Sequence, residues 1–449
     1  MTQLATRPDT SRSRSPRRLP IGWVVAGSLA VGALAPPALT LVVVGGAAEH
    51  VITGTALLGF ALGWALLAAV SQRWTDQPQR WAWLPAGTLG LSGAGLLLFA
   101  PGDRGMTVLG WVWPPLVLAL AVHVLRRARR SLHSRTRAWL VTPVCALIAL
   151  TAGAGALETV RGPDAAMPAA GRLVDVGTHR LYLECAGTGS PTVVLSSGSG
   201  EHAASWAWIA PAVARDTRVC RYDRAGTGWS EPAAHPQDAV EVAADLHRLL
   251  TTAGEPGPYV LAGHSTGGVY GLVFADRYPA DLAGMVLLDS STPEQFALPG
   301  YAAAHDGWRR ASALFPSLAR LGLGRLAFGT GSTGLPPDAQ ELEHGISASA
   351  RDLRGQRDEW AQLPAAFAQA QQLTDLGSAP LLVLTAGEQD PAWLAAQDEL
   401  AALSSNAAHR VLAGATHADL LLDRDVADLS AQGVREVVQA VRAGAPLRP

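Results

Sequence analysis

The sequence predicts an α/β domain built on a doubly wound, mostly parallel eight-stranded sheet, preceded by an all-α transmembrane region of about five helices. Three observations predict it. Charged residues make up 16% of the 449 and hydrophobic ones 49%, whereas soluble domains are usually about 25% charged. The charge is also split: residues 1–157 hold 14 Arg against 4 acids (+10), residues 158–449 hold 21 Arg against 33 acids (−12), and these sum to the overall −2. Finally, long charge-poor stretches before residue 157 give way, from residue 171, to short β-branched runs alternating with helical patterns. The basic residues interrupt apolar segments instead of forming one stripe, which argues against a nucleic-acid partner.

Residues 1–20 form a basic arm with Arg7, Arg12, Arg14, Arg17 and Arg18, expected on the cytoplasmic side. Residues 21–157 carry five apolar stretches, at 21–46, 50–71, 83–101, 105–125 and 138–157. Each approaches the roughly 20 residues that cross a bilayer as a helix. Trp23, Trp74, Trp81, Trp83, Trp111, Trp113 and Trp139 fall mostly near their ends, where aromatic belts form. The second connection holds Arg73 and Arg80 and the fourth holds six Arg, while the first and third are nearly neutral. Positive connections mark the cytoplasmic side, so five spans place the rest of the chain on the extracytoplasmic side of the cell membrane. The first stretch also reads as a signal peptide ending at Ala33-Leu34-Ala35, but Pro36 argues against cleavage there.

Residues 158–170 read as a linker and residues 171–449 as the α/β domain. Its strand candidates are RLVDV, HRLYLECAG, TVVLSS, TRVCRYD, YVLAGH, GMVLLD, PLLVLTAG and HRVLAG. Helical patterns lie at 203–214, 237–253, 266–278, 391–405 and 424–443. Strands alternating with helices imply a mainly parallel sheet covered on both faces. The tight Gly-Thr-His turn between the first two runs predicts an antiparallel start.

The chemistry centres on Gly263-His264-Ser265-Thr266-Gly267, placed between a strand and a helical pattern. A G-x-S-x-G in that context is a nucleophile elbow, in which a strained turn exposes the serine hydroxyl. Such a serine needs a base, and the base an orienting acid, in the chain order Ser, acid, His. The base expected is His417, after the last strand; His409 stands at the wrong end of its strand and His264 reads as a packed structural residue. The acid expected is Asp390, after PLLVLTAG and before Pro391, with Asp289 after GMVLLD and Glu388 as competitors. Oxyanion donors are expected from the backbone N–H of Thr266 and of Ser199, with Gly198 or Gly200 as offsets.

TVVLSSGSG, the segment Arg221–Ser230, GHSTGG, LLVLTAGEQD and GATHADL together resemble the α/β-hydrolase fold superfamily, over residues 171–449. The resemblance implies a Ser265–His417–Asp390 triad and a site-bracing loop at Asp223-Arg224-Ala225-Gly226. It also implies a lid over about 293–378, whose apolar residues include Phe296, Trp308, Phe315, Trp360 and Phe367. A serine at the elbow argues against the haloalkane dehalogenase and epoxide hydrolase branches, which carry Asp there. Many relatives have His-Gly where this chain has Ser197-Gly198. Cys185 and Cys220 lie on strands that are neighbours in the family's sheet, so a disulfide is expected, with buried free thiols as the alternative; Cys145 reads as a small packed residue.

No Cys/His cluster has zinc spacing and no phosphate loop occurs, so no metal or cofactor is expected. The resulting expectation is a membrane-anchored serine hydrolase acting on a small-molecule or lipid-like acyl substrate: an ester, thioester or amide. Acyl transfer on the same residues is one alternative. A transporter or sensor with a non-catalytic hydrolase-like domain is another, although the spans lack the intramembrane acids common in transport pathways. Substrate preference and oligomeric state are not written in the sequence.

Overall fold

The computed structural model describes residues 18–132, 134–161, 166–329, 333–387 and 390–447. It divides into two compact units: Met1–Val42, Thr53–Ala100 and Val112–Ala152 in the first, and Val43–Ile52, Pro101–Trp111 and Gly153–Pro449 in the second.

Among the described residues, five helical stretches are long and apolar enough to cross a membrane: Ile21–Val43, Glu49–Trp74, Arg80–Phe99, Asp103–Ser131 and Trp139–Arg161. Their α-helical parts are α1 (Ile21–Ala38), α2 (Glu49–Trp74), α3 (Trp83–Phe99), α4 (Asp103–Ser131) and α5 (Thr142–Arg161). Pro36 and Pro37 sit at the end of α1, which continues as a wider π turn over Leu39–Val43. That is the local adjustment expected where proline removes backbone donors. Within the first unit, α1 and α2 meet at glycine. A Cβ on Gly63 would lie 2.7 Å from the Gly32 Cα, so the two backbones touch as small residues allow in apolar surroundings. Trp81 donates its indole N–H to Gln79 Oε1 (2.8 Å) and to Ser131 Oγ (3.1 Å).

The second unit holds an eight-stranded sheet, in the order β1-β2-β4-β3-β5-β6-β7-β8. The strands are β1 (Gly171–Asp175), β2 (Arg180–Ala186), β3 (Thr192–Ser196), β4 (Val219–Tyr222), β5 (Tyr259–His264), β6 (Leu282–Leu288), β7 (Leu381–Ala386) and β8 (Ala407–Leu412). β1 pairs with β2, and β2 with β4, antiparallel; the remaining neighbours are parallel. β3, β5 and β7 are buried along their whole length, as continuous apolar runs in a parallel sheet should be.

Alternation along these strands feeds two cores. Val194, Leu261, Leu287 and Val383 pack on one face against α7 (Ala239–Ala253) and α8 (Thr266–Arg277), through Leu246, Leu249, Val269 and Phe274. Val193, Val260, Val286 and Leu382 face the other way, toward Trp206, Ile209 of α6 (Ile209–Val213), Val434 and Val438. Truncating one of these fully buried leucines to alanine costs about 2–5 kcal/mol. Between β6 and β7 the chain leaves the sheet, and its described residues there include five helices. They are α9 (Tyr301–Ser312), α10 (Phe315–Ala319), α11 (Leu323–Phe328), α12 (Pro337–Ser347) and α13 (Ala350–Ala370). α14 (Pro391–Ala401) and α15 (Arg424–Ala443) complete the cover after β7 and β8.

β2 and β4 place Cys185 opposite Cys220 in register, and the two form a disulfide across 35 residues of chain. Cys145 is a buried free cysteine.

Candidate active site

Ser265 stands between β5 and α8 with φ 54° and ψ −127°, a conformation that costs a non-glycine residue of order 1–3 kcal/mol and persists only where its surroundings fix it. They do so here. Ser265 donates its N–H to the Leu288 carbonyl (3.2 Å), and its own carbonyl accepts from the N–H groups of Gly268 (3.1 Å) and Ser291 (3.0 Å). Gly198 crosses so close that a Cβ on it would stand 2.8 Å from the Ser265 Cβ. Only glycine fits beside this serine.

His417 lies in the loop after β8, its side chain 43% exposed. Its Nδ1 is 2.6 Å from Asp289 Oδ2. Asp289 follows β6 in a left-handed kink (φ 39°) and is fully buried. Its other oxygen accepts from the Trp393 indole (2.9 Å) and from the Ala386 N–H (3.3 Å). Burial would raise this carboxyl, but the bonds from His417 and Trp393 outweigh it and hold Asp289 below the usual carboxylate range.

Asp390, the acid expected from the sequence, is elsewhere. It is exposed and caps α14, accepting from the Trp393 N–H at 2.9 Å. The place on the imidazole is held by Asp289, which corrects that expectation. The reason is local: an Asp before Pro at a helix start is also the best N-cap. Both Asp289 and Asp390 satisfy the Ser–acid–His order, so order alone did not separate them. Glu388 lies outside the described residues.

Ser199 and Thr266 are brought together, their hydroxyl oxygens 3.0 Å apart. Thr266 opens α8, so its N–H has no acceptor within the helix and sits at the positive dipole end. Ser199 Oγ also donates to Glu359 of α13 (2.8 Å). Glu359 in turn accepts from Arg224 (2.9 Å) and from the Tyr270 hydroxyl (3.0 Å). Arg224 donates to the Ser197 and Gly198 carbonyls (2.5 and 2.9 Å), so the loop bracing implied by the family resemblance is physical.

Three partners escaped the sequence reading. Glu201 accepts from the Gly198 N–H (2.7 Å) and pairs with His264 Nδ1 (2.8 Å), while His264 Nε2 reaches the His417 carbonyl (3.0 Å). Burial lowers the His264 pKa, yet the Glu201 carboxylate prevails and raises it. Beyond a packed residue, His264 ties the elbow to the histidine loop. His202 is fully buried between carboxylates of α12 and α13, with Nδ1 2.7 Å from Glu343 and Nε2 2.9 Å from Asp352. Burial disfavours its charged form, but the two carboxylates hold its pKa well above the ordinary value. Glu359 is the third, and like Glu343 and Asp352 it comes from the helices between β6 and β7, 135 residues along the chain from the Arg224 it holds.

The profile of the Alpha/beta hydrolase family matches residues 193–432, more than half of the chain. The chain belongs to the Alpha/beta hydrolase family. It is 35% identical over 129 residues to "Probable transporter efuK" of Hormonema carpetanum, covering 27% of this chain and 18% of that one. It is 35% identical over 113 residues to "Putative carbamate hydrolase RutD" of Azorhizobium caulinodans, covering 25% and 42%. The matched stretch thus spans less than half of each of these relatives. The crystal structure of DBJA superimposes with a TM-score of 0.50 at 18% identity, covering 61% of this chain and 99% of that one. That likeness shows the fold alone.

Proposed function

We propose that this hydrolase is a membrane-anchored serine enzyme that cleaves an ester, thioester or amide through an acyl-enzyme. One observation carries the reading: His417 holds the buried Asp289 through Nδ1 while its loop is tied by His264 to the Ser265 elbow. With Nδ1 engaged, Nε2 is the nitrogen that serves the serine. Ser265 Oγ adds to the carbonyl carbon as its proton passes to His417 Nε2. The oxyanion is held by the N–H groups of Ser199 and Thr266, in a place that Gly198 keeps open. The imidazolium then protonates the leaving group as its bond to carbon breaks, and water releases the acyl group by the same steps in reverse roles. Asp289 stabilises the imidazolium and fixes its tautomer.

The five apolar helices anchor this domain with its basic connections in the cytoplasm and the catalytic unit outside. The Cys185–Cys220 disulfide supports that side, because disulfides persist in oxidising compartments. The test is labelling of intact cells with a membrane-impermeant fluorophosphonate. Wild type is expected to label and Ser265→Ala to stay dark. Labelling independent of Ser265 would defeat the serine reading; labelling only after lysis would defeat the placement.

A further inference from the structure

Four lid arginines are spent on the ends of the apolar helices, entirely within the second unit. Arg309 of α9 reaches the Gly45 carbonyl at 3.5 Å. Arg320, just after α10, binds Glu49 through Nε and Asp103 through Nη2 at 3.0 Å. Arg325 of α11 holds Glu158 with both Nε (2.7 Å) and Nη2 (2.9 Å). Arg354 of α13 approaches Glu49, which is fully buried, at 3.7 Å. Glu49 and Asp103 are the first residues of α2 and α4, and Glu158 lies in the last turn of α5. Gly45 follows the first apolar stretch. The lid therefore grips the first connection, the third connection and the end of the fifth helix, the three places that the charge pattern puts on one side.

The same lid helices leave large apolar side chains uncovered. Leu326 is 75% exposed, Trp308 45%, Leu323 44% and Leu318 38%. A lone exposed leucine is ordinary, but here Leu323 and Leu326 share one face of α11, and Arg325 between them is fixed to a helix end. Apolar side chains rimmed by charge mark an interaction surface, and Trp308, which packs on Phe315 at the start of α10, is a side chain suited to a bilayer boundary.

We propose that α10 and α11 lie on the membrane and bed Leu318, Leu323 and Leu326 among the outer-leaflet phospholipids that surround the five helices. This rests on the membrane-anchor reading above. Leu326 is the neighbour of Arg325 and Leu318 stands two residues before Arg320, so these leucines lie beside the residues that hold the ends of α2, α4 and α5. Exposed leucines beside arginines match such an interfacial element.

The test uses the full chain in phosphatidylcholine vesicles, on a Cys145→Ser background that leaves no free thiol. An environment-sensitive fluorophore is attached at Leu326→Cys, at Leu429→Cys on α15, and at Leu150→Cys in α5; all three positions are exposed in the structure. The Leu326 probe is expected to shift to the blue, to be quenched by lipids carrying a nitroxide near the headgroup, and to escape aqueous iodide. The Leu429 probe is expected to do the opposite. If Leu326 follows Leu429 while Leu150 is quenched by lipid, the lid contact is overturned and the anchor stands. If Leu150 is not quenched by lipid either, both readings fall.

Discussion

Replacing Asp289 by asparagine is the sharpest perturbation the site offers. In the native carboxylate, Oδ1 accepts from the Trp393 indole and the Ala386 N–H, while Oδ2 faces His417 Nδ1. An amide has one acceptor end. Two fixed donors claim it, so the NH2 of the substituted side chain must point at His417 and force Nδ1 to accept. The ring proton then sits on Nε2, and the nitrogen that should take the Ser265 proton already carries one. Losing the acid's role in a serine triad in this way costs about ten-thousand-fold in kcat, or ~5.4 kcal/mol at 1.36 kcal/mol per decade. Stopped-flow hydrolysis of p-nitrophenyl acetate and the rate of fluorophosphonate labelling would both read it. Asp390→Ala is the matched control: it removes an exposed cap, costing about 1 kcal/mol of stability, and should leave kcat within a few-fold. Collapse of activity in Asp390→Ala with retention in Asp289→Asn would refute the assignment.

Other consequences are as direct. The folded pKa of His202 is raised, so its stabilisation is complete below the ordinary value of 6.5 and fades as pH rises through the folded value. The gap in thermal midpoint between wild type and His202→Gln should therefore be widest at about pH 6 and narrow at alkaline pH; a gap that widens instead would refute the charged clamp. Cys185→Ala/Cys220→Ala frees a 35-residue loop, which in the chain-entropy picture costs roughly 3–4 kcal/mol, measurable as a lowered denaturation midpoint of the α/β domain. Glu359→Leu strands the buried Arg224 guanidinium and should destabilise by about 3–5 kcal/mol; unchanged stability would show that the pair contributes nothing.

The parts of this molecule that were legible in the sequence are those governed by local pattern. Runs such as TVVLS and LLVLTA are apolar because both faces are covered, and the elbow at Ser265 is a short motif made specific by the strand before it and the helix after it. Five apolar stretches likewise announced five helices, although α4 runs on through Arg126–Arg130 because helical hydrogen bonding does not stop where hydropathy does. What stayed hidden was pairing at long range. Asp289 and Asp390 end successive strands in similar contexts, and only the left-handed kink at Asp289 aims one of them at His417. Nothing near Glu343, Asp352 and Glu359 in sequence announces the His202 and Arg224 they neutralise.

Those buried pairs also register the helices between β6 and β7 on the sheet. Swinging them away would part His202 from Glu343 and Asp352, and Arg224 from Glu359. Water would then solvate both members of each opened pair, so the cost falls well below that of deleting one partner inside the fold. What the pairs add is register: a ring held at both nitrogens and a guanidinium seated on one carboxylate favour one seating of these helices over its alternatives.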